Sequence, residues 1–583
     1  MAKWILKKNS GDAARFAAQL DISENLSRIL INRDIRTLDA ARKYLKPDTS
    51  FFEPITNMEG VKTAYEIIKD ALSVRRKIVI YGDYDVDGVM STVILHKALT
   101  RLGADVSYYI PDREAEGYGL NVAAAESLHG EGCKLLICCD NGIASVAEIA
   151  RVKELGMDAI IIDHHEQGDV VPKADAAIDP KQKTCPYNFK QMCAAGLVYR
   201  FADGLFAFMG RENPDNEEFL MLSAIATFCD IVDLQGENRI IAKRGLEIIN
   251  GEISNLGLKT LVKLRSLAGR IGEFDIGFII GPCINATGRL DKANLAVELF
   301  LTDDSERAQF LAEKLVELNE QRKKMTSEAF ETALENYRQS GKDSKVIVIY
   351  DNTIHESIAG IVAGRIKDKL NHPVIVLTDS SDLETAKGSA RSIEGYNMFE
   401  SLNACSDLLS RFGGHTMAAG MSIKKVNIPL LEEFLNKNCT LSDDSFTEKI
   451  VLDKQLELSE VTYTLAKELK VLAPFGKANK EPLFGTKSAV VEKVNVYPEK
   501  NTLRLTFKIP DSYRKITGIC FGKIEEFQNI ITEKFGSYTA EKILGGILRG
   551  IELKLDIVYY IEINEYNGNI SVAMKLKDFR IGE

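Results

Sequence analysis

The sequence predicts a multidomain α/β protein: a parallel-sheet domain, one long connecting helix, a second and smaller α/β domain, and a C-terminal β-barrel. Three observations predict it. From residue 77 apolar runs of strand length alternate with helical stretches, residues 304–340 keep helical periodicity without a proline, and from about residue 445 the chain becomes strand-rich with short turns. At 583 residues the chain is too long for one hydrophobic core, and about 100–200 residues per domain gives three or four domains.

Residues 1–70 are expected as a helical segment packed on the sheet domain, which takes 71–303. The strand candidates there are KIVIYG, DVSYYI, KLLICC, DAIIID and AAIDP, with a helix from Gly88. Strands separated by helices imply a parallel sheet with crossover connections, whose carboxyl ends are where ligands gather. Residues 304–340 read as one long helix or a helix pair that connects two lobes. Beyond it, KVIVIY and PVIVLT bracket a helical segment in a second α/β domain over 341–440. Residues 445–583, with SAVVEKVNVYP, TLRLTFKI and KLDIVYYIEINEYNGNISVAMKLKDF, predict the barrel.

Composition narrows the function. Hydrophobic residues at 45% and charged residues at 27% are ordinary for a globular chain, which excludes a disordered or fibrous protein. The opening MAKWILKKNSGDAARF lacks the apolar core of a signal peptide, and no run approaches the about 18 apolar residues of a membrane helix, so a cytoplasmic protein is expected. The ten cysteines include no Cys-x-x-Cys pair and read as reduced thiols. A net charge of −10 argues against wholesale coating of nucleic acid but leaves room for a local basic groove.

Polar groups crowd the predicted strand ends: Asp83, Asp85 and Asp87 after the first, Asp140 after KLLICC, and Asp163, His164 and His165 after AIII. The Asp-x-Asp-x-Asp-Gly run matches the start of a calcium EF-hand loop. That reading fails because loop position twelve is Ile94 instead of a glutamate, and a strand, not a helix, precedes the loop. Hard carboxylates with an imidazole suit manganese or magnesium better than zinc. Three aspartates, Asp140 and the histidines suffice for a two-metal site that activates water for an in-line displacement.

Taken together, YGDYDVDG, CCDNG and IIDHHE resemble the Asp-His-His phosphoesterase superfamily. The order of ILINRDI, PDREAEGYGL, IDPKQKTCPY, CDIVDL, GPCINATGRLDKA, KGSARS, FGGHTMAAG and LAPFGKANKEPLF is similar to its RecJ-type exonucleases, nearly end to end. The resemblance implies a catalytic lobe, a second lobe with a Gly-Gly-His motif (DHHA1-like), and an OB-type nucleic-acid-binding barrel. It implies Asp85, Asp87, Asp140, His164 and Asp230 as ligands of two Mn2+ or Mg2+ ions, with Asp83 close by. Asp140 would bridge the ions, Asp163 would orient a histidine, and His165 would contact the scissile phosphate. Arg289, Ser389 and Arg391 would grip a terminal phosphate, with Gly413, Gly414 and His415 facing the same cleft and Arg113, Glu116 and Tyr118 seating the strand. Read structurally, KGSARS and FGGH could equally be turns.

Two positions depart from the pattern. Cys283 stands where the family often has arginine, and Ile354 precedes His355 where tryptophan is common. One basic contact to the strand is therefore supplied elsewhere or dispensed with. The expected activity is 5′ to 3′ hydrolysis of single-stranded DNA in repair and recombination, by a monomer, with a single-stranded-DNA-binding protein and a RecQ-like helicase as partners. A phosphodiesterase for short oligonucleotides or cyclic dinucleotides is one alternative. A nucleic-acid-binding scaffold without catalysis is the other.

Overall fold

The run KIVIY becomes strand β1, Lys77–Tyr81, and every residue from Ile78 to Tyr81 is buried. A computed structural model of the chain describes residues 2–8, 11–113, 115–380, 382, 384–566 and 569–583, so Glu114 of the PDREAEGYGL segment lies outside it. After β1 come helix α1 (Val86–Leu102), then β2 (Asp105–Tyr109), β3 (Leu135–Cys139), β4 (Asp158–Ile162) and β5 (Ala176–Ile178). These strands form one sheet in the order β2-β1-β3-β4-β5, and every pairing is parallel.

Both faces of that sheet are covered, which is why its strands are continuous apolar runs. Ile78, Ile80, Leu135, Ile137, Ile160 and Ile162 enter one core, and Val79, Tyr81, Leu136, Cys138, Ala159 and Ile161 enter another. Helix α1 lies within the larger core and is buried along most of its length. Asp85 caps its start, and Gly103, at φ 90°, closes its end in the left-handed conformation that glycine adopts without strain. Helix α2 (Asn216–Cys229) delivers Asp230 at its carboxyl end, and α3 (Gly281–Leu290) follows a π-helical turn at Ile276–Ile280.

Residues 304–340 form a single helix, α4 (Ser305–Gln339), of 35 residues. Its first half puts Ala308, Leu311, Ala312 and Leu315 into the core beneath the parallel sheet, while Ala333 joins a second cluster with Ile347, Val362 and Val376. Beyond it stand β6 (Ile347–Tyr350), α5 (Glu356–Leu370), β7 (Val374–Asp379), β8 (Thr385–Arg391), β9 (Leu409–His415) and β10 (Ala418–Lys424). Their sheet runs β9-β10-β8-β7-β6, with only β6 and β7 parallel. All of these elements belong to one compact unit, Phe52–Val232 with Ile240–Glu448.

The second unit comprises Ala2–Phe51, Asp233–Arg239 and Lys449–Glu583. Strands β11 (Phe484–Tyr497), β12 (Thr502–Lys508), β13 (Lys515–Phe521), β14 (Leu553–Tyr566) and β15 (Asn569–Ile581) run β11-β12-β13-β15-β14, and β14 pairs back on β11. The predicted barrel is thus a closed, five-stranded, OB-like one.

The N-terminal segment departs from expectation. Helices Ala13–Leu20, Glu24–Asn32 and Leu38–Leu45 share the barrel unit's core, where Leu26, Ile29 and Leu30 meet Leu465, Leu469 and Leu472. From Phe52 onward the segment packs on the sheet domain, through Ile55, Met58, Val61, Tyr65 and Ile68. Trp4 Nε1 donates to Asp578 Oδ2 at 2.7 Å, and Lys3–Leu6 pairs in parallel with Lys449–Leu452. Amphipathic helices announce that one face will be buried, not what will cover it.

Two further features concern this unit and the chain as a whole. Arg239, in the short 233–239 segment, is buried against the Tyr44 ring and donates to the carbonyls of Tyr44, Val471 and Ala473 at 2.8, 3.2 and 3.2 Å. The cysteines are free thiols, and no helix among the described residues is long and apolar enough to cross a membrane.

Leu30 is fully buried in this core. Leu30→Ala is expected to destabilise the barrel unit by about 2–5 kcal/mol, the usual cost of emptying a buried leucine site. Hydrogen exchange should then quicken in β11–β15 and stay unchanged in β1–β5; the opposite pattern would return the N-terminal helices to the sheet domain.

Candidate metal centre and cleft

The parallel sheet brings its acidic strand ends together. Three groups of side chains have ligand atoms within 4.8 Å of one another: Asp83, Asp85 and Asp140; Asp87, His164 and Asp230; and Asp140, His164 and His165. Asp140 belongs to two of them, and its backbone takes φ 64°, a left-handed conformation held by a residue that is not glycine. His164 Nε2 lies 3.2 Å from Asp140, 3.6 Å from Asp87 and 3.8 Å from Asp230.

The carboxylates differ in how the backbone uses them. Asp85 Oδ1 accepts from the N–H groups of Asp87 and Gly88 at 2.8 and 3.1 Å as the cap of α1. Asp87 accepts from Ala194 and Ala195 N–H, both at 2.7 Å. Asp163 is saturated, with Oδ1 taking His164 N–H, His165 N–H and His165 Nδ1 while Oδ2 takes Ile143 N–H. In contrast, Asp83 Oδ1 and Asp140 Oδ1 are buried without any hydrogen-bond partner. A buried carboxylate oxygen left unpaired is costly, and a divalent cation satisfies it.

Crowding also shifts protonation. Burial and then Asp85 push Asp87 up to about 7, and burial and then Asp87 push Asp230 up to about 7. Burial and neighbouring carboxylates raise Asp83 and Asp140 well above the usual range. Asp163 goes the other way: burial opposes it, but the His165 hydrogen bond and charge bring it down to about 2. Burial would likewise lower His165, yet Asp163 holds it up at about 9, while burial and the His165 charge lower His164. His164 is thus a neutral donor and His165 a cation. Their carboxylate and imidazole set, with two orphaned oxygens, fits hard divalent ions.

A cleft of about 620 Å³ opens beside the cluster, lined among others by Tyr84, Arg113, Tyr118, Ser357, Ser389, Arg411, Phe412 and Gly413. The Tyr118 hydroxyl stands 3.3 Å from His165 Nε2 and donates to the Asp140 carbonyl at 3.2 Å. Arg113 sits over the Tyr84 ring at 5.1 Å. Glu116 instead fastens its own loop, accepting from Tyr109, Asn121 and Asp112 N–H at 2.8, 3.0 and 2.7 Å.

Arg289, Ser389 and Arg391 converge on the start of α5. Arg289 donates to the Ser357 carbonyl at 2.6 Å. A Cβ on Gly360 would stand 2.9 Å from Arg391 Nη2 and 3.3 Å from Ser389 Oγ, so glycine there admits both groups. Gly414, at φ 148°, is fixed as glycine by the Ala418 carbonyl, 2.4 Å from where its Cβ would be. His415 and Gly414 are not among the cleft-lining residues: β9 carries His415 to the exposed tip of its hairpin with β10.

Other contributors escape residue reading. Asn285 Oδ1 accepts from Val86 N–H at 3.2 Å and so braces the Asp85–Asp87 turn from α3. Its motif GPCINATGRL was visible, but its partner lies 199 residues away in sequence. Ser357, Gly360, Arg411 and Phe412 carried no local signal beyond FGGH.

Comparison with known proteins agrees with this arrangement. Residues 77–227 match the DHH family N-terminal domain, 343–440 the DHHA1 domain and 452–578 the RecJ OB domain. The single-stranded-DNA-specific exonuclease RecJ of Bacillus subtilis is 37% identical over 100% of this chain and 71% of its own length. The protein of the same name from Haemophilus influenzae is 30% identical over 94% and 95%. Among solved structures, Thermus thermophilus RecJ in complex with Mn2+ superposes with a TM-score of 0.83 at 26% identity, covering 100% of this chain and 80% of that one. With sheet, metal-ligand groups and barrel in the order these relatives share, the chain belongs to the RecJ family of single-stranded-DNA-specific exonucleases.

Proposed function

We propose that the chain hydrolyses single-stranded DNA from its 5′ end, releasing mononucleotides, with two Mn2+ or Mg2+ ions held by Asp83, Asp85, Asp87, Asp140, His164 and Asp230. The observation that carries this reading is the two ligand groups Asp83–Asp85–Asp140 and Asp87–His164–Asp230, beside a cleft lined by Ser357 and Ser389, with Arg289 and Arg391 reaching the same helix start. Bound ions would supply Lewis acidity and a deprotonated water at neutral pH.

The protein's own groups divide the remaining work. His165, kept cationic by Asp163, donates to a nonbridging oxygen of the scissile phosphate. Arg289 and Arg391 fork a terminal phosphate at the amino end of α5, where Ser389 Oγ and the helix dipole add to the hold. Tyr118 and Arg113 seat the first nucleotide. Gly413 lets backbone approach the strand, and the barrel stacks and steers bases farther along. The reading includes a cytoplasmic monomer that works in repair and recombination on ends opened by a RecQ-like helicase, alongside a single-stranded-DNA-binding protein.

A release assay with Mn2+ tests the substrate. Mononucleotides should appear from the 5′ end of single strands and not from duplex, and Asp140→Ala should cut the rate about 10³-fold, several kcal/mol of lost transition-state stabilisation, without unfolding the chain. Release from a cyclic dinucleotide alone, or full activity in Asp140→Ala, would refute the assignment.

Protonation gives a second test. Asp87 and Asp230 have folded values near 7, above the ordinary aspartate value of 3.8, so the folded apoprotein holds protons that the unfolded chain releases. Their contribution to apoprotein stability is full below about 4 and is lost as pH rises through about 7. Mn2+ binds the deprotonated groups, so the gain in melting temperature from Mn2+ should be large above pH 7 and shrink toward about pH 5. A gain independent of pH over that window would count against these ligands.

A further inference from the structure

The chain carries a net charge of −10, yet Arg113, Arg289, Arg322, Arg365 and Arg391 have no carboxylate partner among the described residues. Three of them surround the terminal-phosphate grip proposed above. Arg322 and Arg365 do not.

Arg322 is held in place by a chain of buried polar contacts. Its Nη2 donates to Asn319 Oδ1 at 2.6 Å, fully buried Asn319 donates through Nδ2 to Cys283 Sγ at 3.4 Å, and that thiol donates to the Ile279 carbonyl at 3.2 Å. The contacts cross from α4 to α3, so the guanidinium is fixed by both helices. The adjacent carboxylate, Glu320, is already taken by Arg265 at 2.9 Å and Lys323 at 3.0 Å. Burial and then the Arg365 charge depress Arg322, and burial followed by the charges of Arg113 and Arg322 brings Arg289 down to about 10. Cations packed near one another without an anion are unfavourable unless a ligand supplies one.

Arg365 is exposed on α5, eight residues beyond Ser357, which is about 12 Å along the helix at 1.5 Å per residue. We propose that Arg322 and Arg365 form a second anion station that holds an internal backbone phosphate of the single strand, separate from the terminal grip of Arg289, Ser389 and Arg391. The station rests on the strand-degrading reading above. It also answers what replaces the arginine that Cys283 displaces: the thiol accepts from Asn319 Nδ2 and so fixes the amide whose Oδ1 orients Arg322.

The test is the salt dependence of kcat/KM for a 5′-phosphorylated single strand with Mn2+, in the full chain and in Arg322→Met, Arg365→Met and Arg322→Lys. Each methionine variant should raise KM, leave kcat in place, and flatten the slope of log(kcat/KM) against log salt by about 0.7, the value for one phosphate contact on a single strand. Arg322→Lys keeps the charge and should keep the slope. Turnover by the unaltered chain with unchanged slopes in both methionine variants overturns the station alone. No turnover by the unaltered chain overturns the reading beneath it. Arg365 is exposed, so its variant stays informative even where Arg322→Met folds poorly.

Discussion

Like-charge repulsion at the carboxyl edge of one parallel sheet governs this structure. Asp83, Asp85, Asp87, Asp140 and Asp230 gather where burial removes water's screening, and the fold accepts that cost only through fixed backbone contacts. The cap of α1 takes Asp85, the N–H groups of Ala194 and Ala195 take Asp87, and four donors saturate Asp163. Asp83 Oδ1 and Asp140 Oδ1 accept no hydrogen bond from any described residue. The acidic edge is therefore complete as a scaffold and incomplete as a charge distribution. A pair of divalent ions would correct that incompleteness.

How much of this the residues disclosed depends on how local each cause is. Strands β1–β5 were legible because a doubly covered parallel sheet writes itself as apolar runs, and Asp83, Asp140 and Asp163 follow those runs directly. Asp230 was legible only through the family pattern, since it ends an ordinary helix and acquires meaning from His164, 3.8 Å away. Asn285 and Gly360 act through partners far along the chain, so spacing could not assign them. The N-terminal helices were recognisable as helices but not as part of the barrel unit, because an apolar stripe does not name its partner. His415 shows the reverse error: a motif placed it at the cleft, and a hairpin carries it past.

Charge is also segregated within the first unit. Carboxylates occupy the sheet edge while unpaired arginines stand on α3, α4, α5 and β8, so neither set cancels the other by direct ion pairing. A net negative protein can bind a polyanion on such terms: bound ions would convert the acidic edge into a site for phosphate, and the arginines would supply a local basic lining that overall charge conceals. The OB-like barrel belongs to the other unit.

The spacing between the two charge systems follows from one helix. Asn285, which braces the Asp85–Asp87 turn, and Arg289, which reaches the start of α5, are four residues apart on α3. Residues at that interval lie on one helical face about 5–6 Å apart, a separation that α3 holds rigidly. The Asp85–Asp87 turn and the start of α5 are thus tied to one rigid helix. On the reading proposed above, a strand whose end is seated on Arg289 would present a phosphodiester toward the cluster, whereas a strand without an end there would have no such register. On that reading, cutting at an end in preference to cutting within a strand would rest on the rigidity of α3 and would need no recognition of sequence.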